Sequence, residues 1–142
     1  MDAAPARAQT TGSALPAPPT VLLVEDEPPV RELVAELLRE EGYEVREARD
    51  GAEAIRALDD CLLPSGRACL ILLDMMLPRV DGVGVLRHLA ERGTHVPVVA
   101  MSASRKQLAA AEAAGVDSVV PKPFDLDDLL AVVERNCKHT AA

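Results

Sequence analysis

The sequence has 142 residues and a formal net charge of −8, with 15 lysine and arginine residues against 23 aspartate and glutamate residues. At about 100–200 residues per domain, this length has room for one compact domain. The acidic balance disfavours direct binding to DNA and to anionic membranes, since both present negative phosphates. Hydrophobic residues make up 49% of the chain and aromatic residues only 1%, so we expect an aliphatic core.

The sequence contains no signal for export or membrane insertion. Residues 1–19 lack the apolar core of a signal peptide, and nowhere do about 18 apolar residues follow one another. The three cysteines, Cys61, Cys69 and Cys137, lack zinc-site spacing, and their odd number favours reduced thiols over a secreted disulfide framework. We therefore predict a cytoplasmic protein that does not associate with a membrane.

Composition divides the chain into three parts. Residues 1–19 are rich in Ala and Pro and are predicted to form a disordered tail, because they can bury too little apolar surface to offset the entropy of ordering. Residues 20–138 alternate short apolar runs with helical patterns, which is typical of βαβ units around a parallel sheet. Residues 139–142 form a short C-terminal tail.

Five strands and five helices are predicted in strict alternation. The strands cover residues 21–24, 43–48, 69–73, 96–101 and 116–120. The helices cover residues 28–42, a stretch from 51, residues 82–92, an Ala-rich stretch ending near 114, and residues 125–138. An apolar stripe predicts the inner face of the first helix, namely Val30, Leu33, Val34, Leu37 and Leu38. The longer connection at residues 60–67 is predicted to be surface variation away from any site.

Polar residues follow four of the predicted strands at their carboxyl ends, where open α/β sheets bind ligands. They are Glu25, Asp26, Asp74, Ser102 and Lys122. Helix capping is an alternative role for Glu25, Asp26 and Ser102, and Lys122 taken alone could be a solvated surface amine. Capping explains Asp74 poorly, because a loop follows it. Together the five residues predict one site.

The chemistry of such a site requires a cation, because three adjacent carboxylates would repel one another. Mg²⁺ fits, since it takes oxygen ligands and is usually held by one or two carboxylates together with a phosphate oxygen. Asp74 would then be both a metal ligand and the nucleophile. Lys122 would supply a positive charge to a phosphoryl group, and Ser102 a neutral hydrogen-bond donor.

These residues lie in four segments that resemble the receiver domains of two-component response regulators. The segments are Val24-Glu25-Asp26, residues 72–82 (LLDMMLPRVDG), Met101-Ser102-Ala103 and Pro121-Lys122-Pro123-Phe124. Each segment alone is a weak signal. The four in this order and at this spacing, across residues 20–138, are highly specific.

The resemblance implies a flavodoxin-like (βα)5 fold, a doubly wound parallel sheet with strand order 2-1-3-4-5. It implies that Asp74 accepts a phosphoryl group from a histidine kinase or a histidine phosphotransfer protein. Mg²⁺, or Mn²⁺ in its place, would be held by Asp26, Asp74, the backbone carbonyl of Met76 and Glu25. Ser102 matches the switch hydroxyl, and Lys122, joined to Pro123 by a cis peptide bond, matches the family lysine.

Three positions bear on switching and on the lifetime of the phosphoryl group. Val119 stands where the family commonly has an aromatic residue whose rotation reports phosphorylation. Met76 and Ser104 occupy the two variable positions that tune hydrolysis, and the side chain of Met76 cannot hydrogen-bond a water molecule. We therefore expect slow autodephosphorylation and a readout through backbone and loop shifts.

The expected output is docking to an unknown downstream protein, with phosphorylation-dependent homodimerisation as an option, and no enzymatic activity beyond self-phosphorylation and dephosphorylation. Alternatives are a module excised from a hybrid kinase or larger regulator, and a phosphate-independent interaction domain. A phosphatase of the haloacid dehalogenase type would need an acid at the position of Met76. A nucleotide-binding module is disfavoured, because Gly82-Val83-Gly84 lacks a third glycine and follows a loop.

Overall fold

The computed structural model describes residues 19–59, 68–93 and 95–137. Its strands are β1 (Thr20–Val24), β2 (Glu44–Ala48), β3 (Ala68–Asp74), β4 (Val98–Ser102) and β5 (Ser118–Pro121). Its helices are α1 (Pro28–Glu40), α2 (Gly51–Ala57), α3 (Gly82–Arg92), α4 (Arg105–Ala113) and α5 (Leu126–Cys137). The predicted tails, apart from Pro19, and the connection at residues 60–67 lie outside the described residues.

The five strands form one parallel sheet in the order β2-β1-β3-β4-β5. This confirms the predicted doubly wound fold. Successive strand residues point to opposite faces, so a strand covered on both sides needs apolar residues at every position. The described core side chains of β1 and β3 meet this need, because Val21–Val24 and Leu70–Leu73 are all at most 1% exposed.

Two apolar clusters fill the two faces of the sheet. On one face, Leu23 and Leu72 pack with residues of α1 and α5. On the other face, Leu22 and Ile71 pack with residues of α2, α3 and α4. The strand order reverses between β1 and β3, because β2 lies on the outer side of β1 while β4 and β5 follow β3 on the other side. A crevice therefore opens beyond the carboxyl ends of β1 and β3.

Most predicted boundaries agree with the structure within a few residues, and α3 agrees at both ends. The fifth strand begins at Ser118 rather than at residue 116. The prediction that Leu33 faces the core is wrong, since its side chain is 50% exposed. The prediction of reduced thiols is wrong for Cys137, which is disulfide-bonded. Among the described residues, no helix is both long and apolar enough to cross a membrane.

Candidate functional site

The fold brings the predicted acidic residues together at the crevice. Carboxylate oxygens of Glu25, Asp26 and Asp74 all lie within 4.8 Å of one another. We call these three residues the acid cluster. The Nζ of Lys122 lies 2.8 Å from Oε1 of Glu25 and 3.1 Å from Oδ2 of Asp74. The structure therefore brings together the three predicted acidic residues and Lys122.

Asp74 is held at the end of β3 by its own hydrogen bonds and by those of the next residues. Its Oδ1 accepts a hydrogen bond from the backbone N–H of Met76 at 3.0 Å, while Oδ2 faces Lys122. The backbone N–H of Met75 donates to the carbonyl oxygen of Met101 on β4. These contacts fix the carboxylate, whose residue is only 3% exposed, at the mouth of the crevice.

The capping alternative does not account for the acidic pair after β1. The N-cap of α1 is Glu27, and its side chain makes no capping hydrogen bond. Oε2 of Glu25 instead accepts from the N–H of Glu27 at 3.3 Å, and Glu25 is fully buried. A buried carboxylate beside a second one is a costly arrangement that capping does not require.

Ser102 also has a position that differs from a helix cap. The N-cap of α4 is Ser104, whose Oγ accepts from the N–H of Gln107. Ser102 is fully buried at the end of β4, and its Oγ accepts from the N–H of Ser104 at 3.0 Å. Its carbonyl oxygen accepts from the N–H of Lys122, which joins the ends of β4 and β5.

The electrostatics of the acid cluster show a shortage of positive charge. Burial, together with the charge on Asp74, raises the pKa of Glu25 to about 7 against the opposing effect of Lys122. Burial would lower the pKa of Lys122, but its hydrogen bond to Glu25 and the charge of Asp74 outweigh this, and the pKa is raised. One ammonium group thus faces three carboxylates.

This donor set fits a hard divalent cation. Carboxylate oxygens are the ligands that Mg²⁺ and Mn²⁺ prefer, and a doubly charged ion would relieve the repulsion within the acid cluster. Asp26 is partly exposed, whereas Glu25 and Asp74 are buried. The cluster therefore has a solvent-facing side through which an ion could keep several of its water molecules.

The raised pKa of Glu25 predicts a pH dependence for the metal-free protein. The folded state holds the Glu25 proton more tightly than the unfolded chain, whose value is 4.5. This contribution to stability is present at low pH and is lost as the pH rises from 4.5 to about 7. The free energy of unfolding in EDTA should fall by on the order of 3 kcal/mol between about pH 5 and pH 8.

Chemical denaturation across this pH range measures the effect. In the Glu25→Gln variant the slope should largely disappear, because the titrating group is gone. Added Mg²⁺ should also flatten the slope, because the cation favours the charged carboxylates. A wild-type stability that rises with pH in EDTA over the same range would contradict the prediction.

One residue that contacts the site was not identified from the sequence. Nη1 of Arg31, on the first turns of α1, donates to the carbonyl oxygen of Glu25 at 2.9 Å. Its Nε lies 3.3 Å from Oε1 of Glu47 on β2, and its side chain is 12% exposed. Arg31 thus fixes the backbone that carries the acidic pair. Its ion pair with Glu47 forms only when β2 lies close to α1, so a local sequence pattern carries no signal for that contact.

The other predicted positions lie on β5, in the loop after β3 and at the start of α4. Val119 on β5 is partly buried against the cluster that packs under α2, α3 and α4. The side chain of Met76 is 55% exposed beside Asp74, and Lys122–Pro123 is a cis peptide bond as expected. The roles of Val119, Met76 and Ser104 in switching and lifetime stay predictions.

Comparison with known proteins identifies the family. The family model described as "Response regulator receiver domain" matches residues 21–134. The chain belongs to this family. Receiver domains are generally non-enzymatic signalling modules of two-component systems, and their general function is phosphorylation on an aspartate. The phosphatase and nucleotide-binding alternatives are therefore set aside.

The receiver domain is similar to both full regulators and isolated domains. It is 39% identical over 125 residues to the response regulator MprA of Mycolicibacterium vanbaalenii, covering 87% of this chain and 52% of that protein. The chain thus spans about half the length of the curated relatives it matches.

Two solved structures show the same fold as this receiver domain. The receiver domain of NtrX from Brucella abortus is 33% identical with a TM-score of 0.74, covering 83% of this chain and 98% of that one. The Francisella response regulator 1452 receiver domain is 27% identical with a TM-score of 0.76, covering 86% and 98%.

Proposed function

We propose that Asp74 of this receiver domain accepts a phosphoryl group, with Mg²⁺ or Mn²⁺ bound by the acid cluster and by the carbonyl of Met76. The donor would be a histidine kinase or a histidine phosphotransfer protein. The observation that carries this proposal is Lys122, whose ammonium group contacts two buried carboxylates while Asp26 lies beside them. If Lys122 only stabilised the fold through its ion pairs, Asp26 would not be needed beside the two carboxylates that Lys122 contacts.

In the proposed reaction an oxygen of Asp74 attacks the phosphorus atom. The new oxygen–phosphorus bond forms as the bond from phosphorus to the donor's leaving group breaks, and the donor retains that electron pair. Lys122 already lies beside Oδ2 of Asp74, so its ammonium group can stabilise the negative charge on the phosphoryl oxygens. A bound Mg²⁺ would neutralise charge on the phosphoryl group. Burial of Asp74 restricts the access of water to the acyl phosphate.

The direct test uses a small phosphoryl donor, so that no cognate kinase is needed. The full chain is incubated with acetyl phosphate and Mg²⁺, and intact mass is followed by mass spectrometry. We expect one added phosphoryl group, removable by hydroxylamine because the bond is an acyl phosphate, and none in EDTA. A chain that gains no phosphoryl group, or gains one that resists hydroxylamine, would rule the proposal out.

We further propose that the structural effect of phosphorylation passes from Ser102 to Ser104 through their hydrogen bonds. Oγ of Ser102 accepts from the N–H of Ser104, whose own Oγ caps α4 at Gln107. If the hydroxyl of Ser102 turns to donate to the phosphoryl group, the N–H of Ser104 loses its partner at the start of α4. This route needs no aromatic residue at Val119, and it makes the start of α4 the first part of the surface to respond.

The phosphoryl group on Asp74 is expected to be long-lived. Met76 is exposed beside the acceptor, and its thioether cannot orient an attacking water molecule. The half-life of the phosphorylated protein in Mg²⁺, measured by mass spectrometry after removal of acetyl phosphate, should therefore be minutes or longer. Met76→Asn, which supplies a hydrogen-bonding side chain, should shorten it. A wild-type half-life of seconds would contradict this expectation.

The wider setting of this function is also proposed. We assign residues 20–138 to the receiver domain and place it in the cytoplasm, where histidine kinases present their phosphorylated domains. The output is docking to another protein, or pairing with a second copy. The acidic charge of the chain supports the absence of direct DNA binding by this stretch.

A further inference from the structure

A third buried carboxylate, Asp50, lies outside the acid cluster and is 5% exposed. Its Oδ1 accepts from the N–H of Glu53 at 2.8 Å as the N-cap of α2. Its Oδ2 accepts from Nε of Arg79 at 3.1 Å. One side chain therefore ties the beginning of α2 to the loop that follows β3, 29 residues further along the chain.

Arg79 adopts a backbone conformation that needs support. Its φ is 67°, and it is the non-glycine residue with positive φ in the described chain. This left-handed region is unfavourable for a residue with a Cβ. The side chain of Arg79 is 70% exposed, so burial does not hold it. Its side chain instead forms an ion pair with Asp50.

The loop between β3 and α3 is fixed at its two ends. The N–H of Met75 donates to the carbonyl of Met101, and the N–H of Gly82 donates to the carbonyl of Met75. Close to the α3 end of the loop, the carbonyl oxygen of Val80 lies so near Gly51 that a Cβ on Gly51 would be 1.7 Å from it. The start of α2 therefore buttresses the loop from the side on which Asp50 lies.

We propose that Asp50 is a positioning residue for the metal site: by holding Arg79 it fixes the loop that aims the carbonyl of Met76 and the carboxylate of Asp74. Met76 follows directly after the fixed end of the loop and precedes Arg79 by three residues. A loop released at Arg79 would keep its ends but lose a defined path between them. This inference rests on the proposed function, because it concerns the same metal site.

The experiment compares variants that break the ion pair in different ways. Asp50→Asn keeps a single acceptor oxygen in place of two, so it cannot serve the helix cap and Arg79 as the carboxylate does. Arg79→Ala removes the pair and leaves the strained backbone, whereas Arg79→Gly removes the pair and relieves it. Arg49→Ala is the matched control, since it deletes an exposed ion pair with Glu53 at the same helix start.

Mn²⁺ binding is measured by electron paramagnetic resonance, which reads the metal without any phosphorylation. We expect about tenfold weaker binding in Asp50→Asn and in both Arg79 variants, at the low end of the losses known for residues that contact a metal ligand directly, because Asp50 and Arg79 act through the loop. The double variant Asp50→Asn/Arg79→Ala should be no weaker than either single one. The Mg²⁺ concentration that half-saturates phosphorylation by acetyl phosphate should rise, with the maximal rate little changed. Arg49→Ala should match the wild type.

Either of two results would overturn the inference: variants that bind Mn²⁺ as the wild type does, or a wild type that binds no Mn²⁺. If the variants lose thermal stability in EDTA but bind Mn²⁺ as the wild type does, the pair is structural only. If Asp50→Asn fails to fold, the exposed Arg79 variants decide the question in the same assay. A wild-type protein that binds no Mn²⁺ would overturn the proposed function as well, whereas normal wild-type binding with unaffected variants overturns the positioning role alone.

Discussion

Asp74→Asn is expected to abolish phosphorylation by acetyl phosphate. A neutral amide oxygen is too weak a nucleophile to attack phosphorus. The substitution should not unfold the protein, because it removes a charge that repels Glu25. We therefore expect the metal-free variant to be at least as stable as the wild type, while the added phosphoryl mass is lost.

A matched control separates this effect from a general change of charge. Asp127→Asn removes one negative charge from an exposed position on α5 and should leave phosphorylation intact. Stability is measured by chemical denaturation in EDTA, and phosphorylation by intact mass. If Asp74→Asn still gained a hydroxylamine-sensitive phosphoryl group, another carboxylate would be the acceptor, and the assignment of Asp74 would be wrong.

Lys122→Met is expected to slow phosphorylation by about 100-fold or more, because it removes the charge that meets the phosphoryl oxygens. Its effect on metal binding should have the opposite sign. Without the ammonium group, the carboxylates of Glu25 and Asp74 lose a positive charge that competes with a bound cation, so Mn²⁺ should bind at least as tightly as in the wild type. A defect in chemistry together with intact metal binding is the signature of a residue that acts on the phosphoryl group.

The same variant should be less stable when the metal is absent. Removing one partner of a buried ion pair can cost about 3–5 kcal/mol, but Glu25 can take up a proton and escape part of that cost. We therefore expect a loss of roughly 1–3 kcal/mol in EDTA at neutral pH, reduced in Mg²⁺. Lys106→Met, at an exposed position on α4, is the control. Wild-type phosphorylation in Lys122→Met would refute the assigned role.

Much of the fold could be predicted because its signals are local. The unbroken apolar runs of β1 and β3 have few alternatives to buried parallel strands, and they place Glu25 and Asp74 at strand ends by position alone. The apolar stripe of α1 was a less reliable guide to which side chains are buried. Leu33 has helical spacing with buried neighbours, yet it lies at the edge of the packed face, and the width of that face depends on how the helix sits on the sheet.

The contacts of arginines could not be predicted in the same way. Arg31 pairs with Glu47 on β2, and Arg79 pairs with a carboxylate from a different βα unit. Arginine is usually exposed, and the sequence next to Arg31 and Arg79 does not mark either residue as a structural contact. Their partners are defined only when distant segments meet, and no periodicity encodes that meeting.

The sequence by itself determined the alternation of strands and helices, and with it which five polar residues leave the sheet at one edge. That follows from periodicity, since strand ends in a parallel sheet share one side. The tertiary structure alone decided that three carboxylates lie within 4.8 Å of one another with an ammonium group in contact with two of them, that Glu25 is fully buried, and that Asp50 is hydrogen-bonded to Arg79 in the loop after Asp74. These depend on the distances between segments far apart in the chain, which only packing sets.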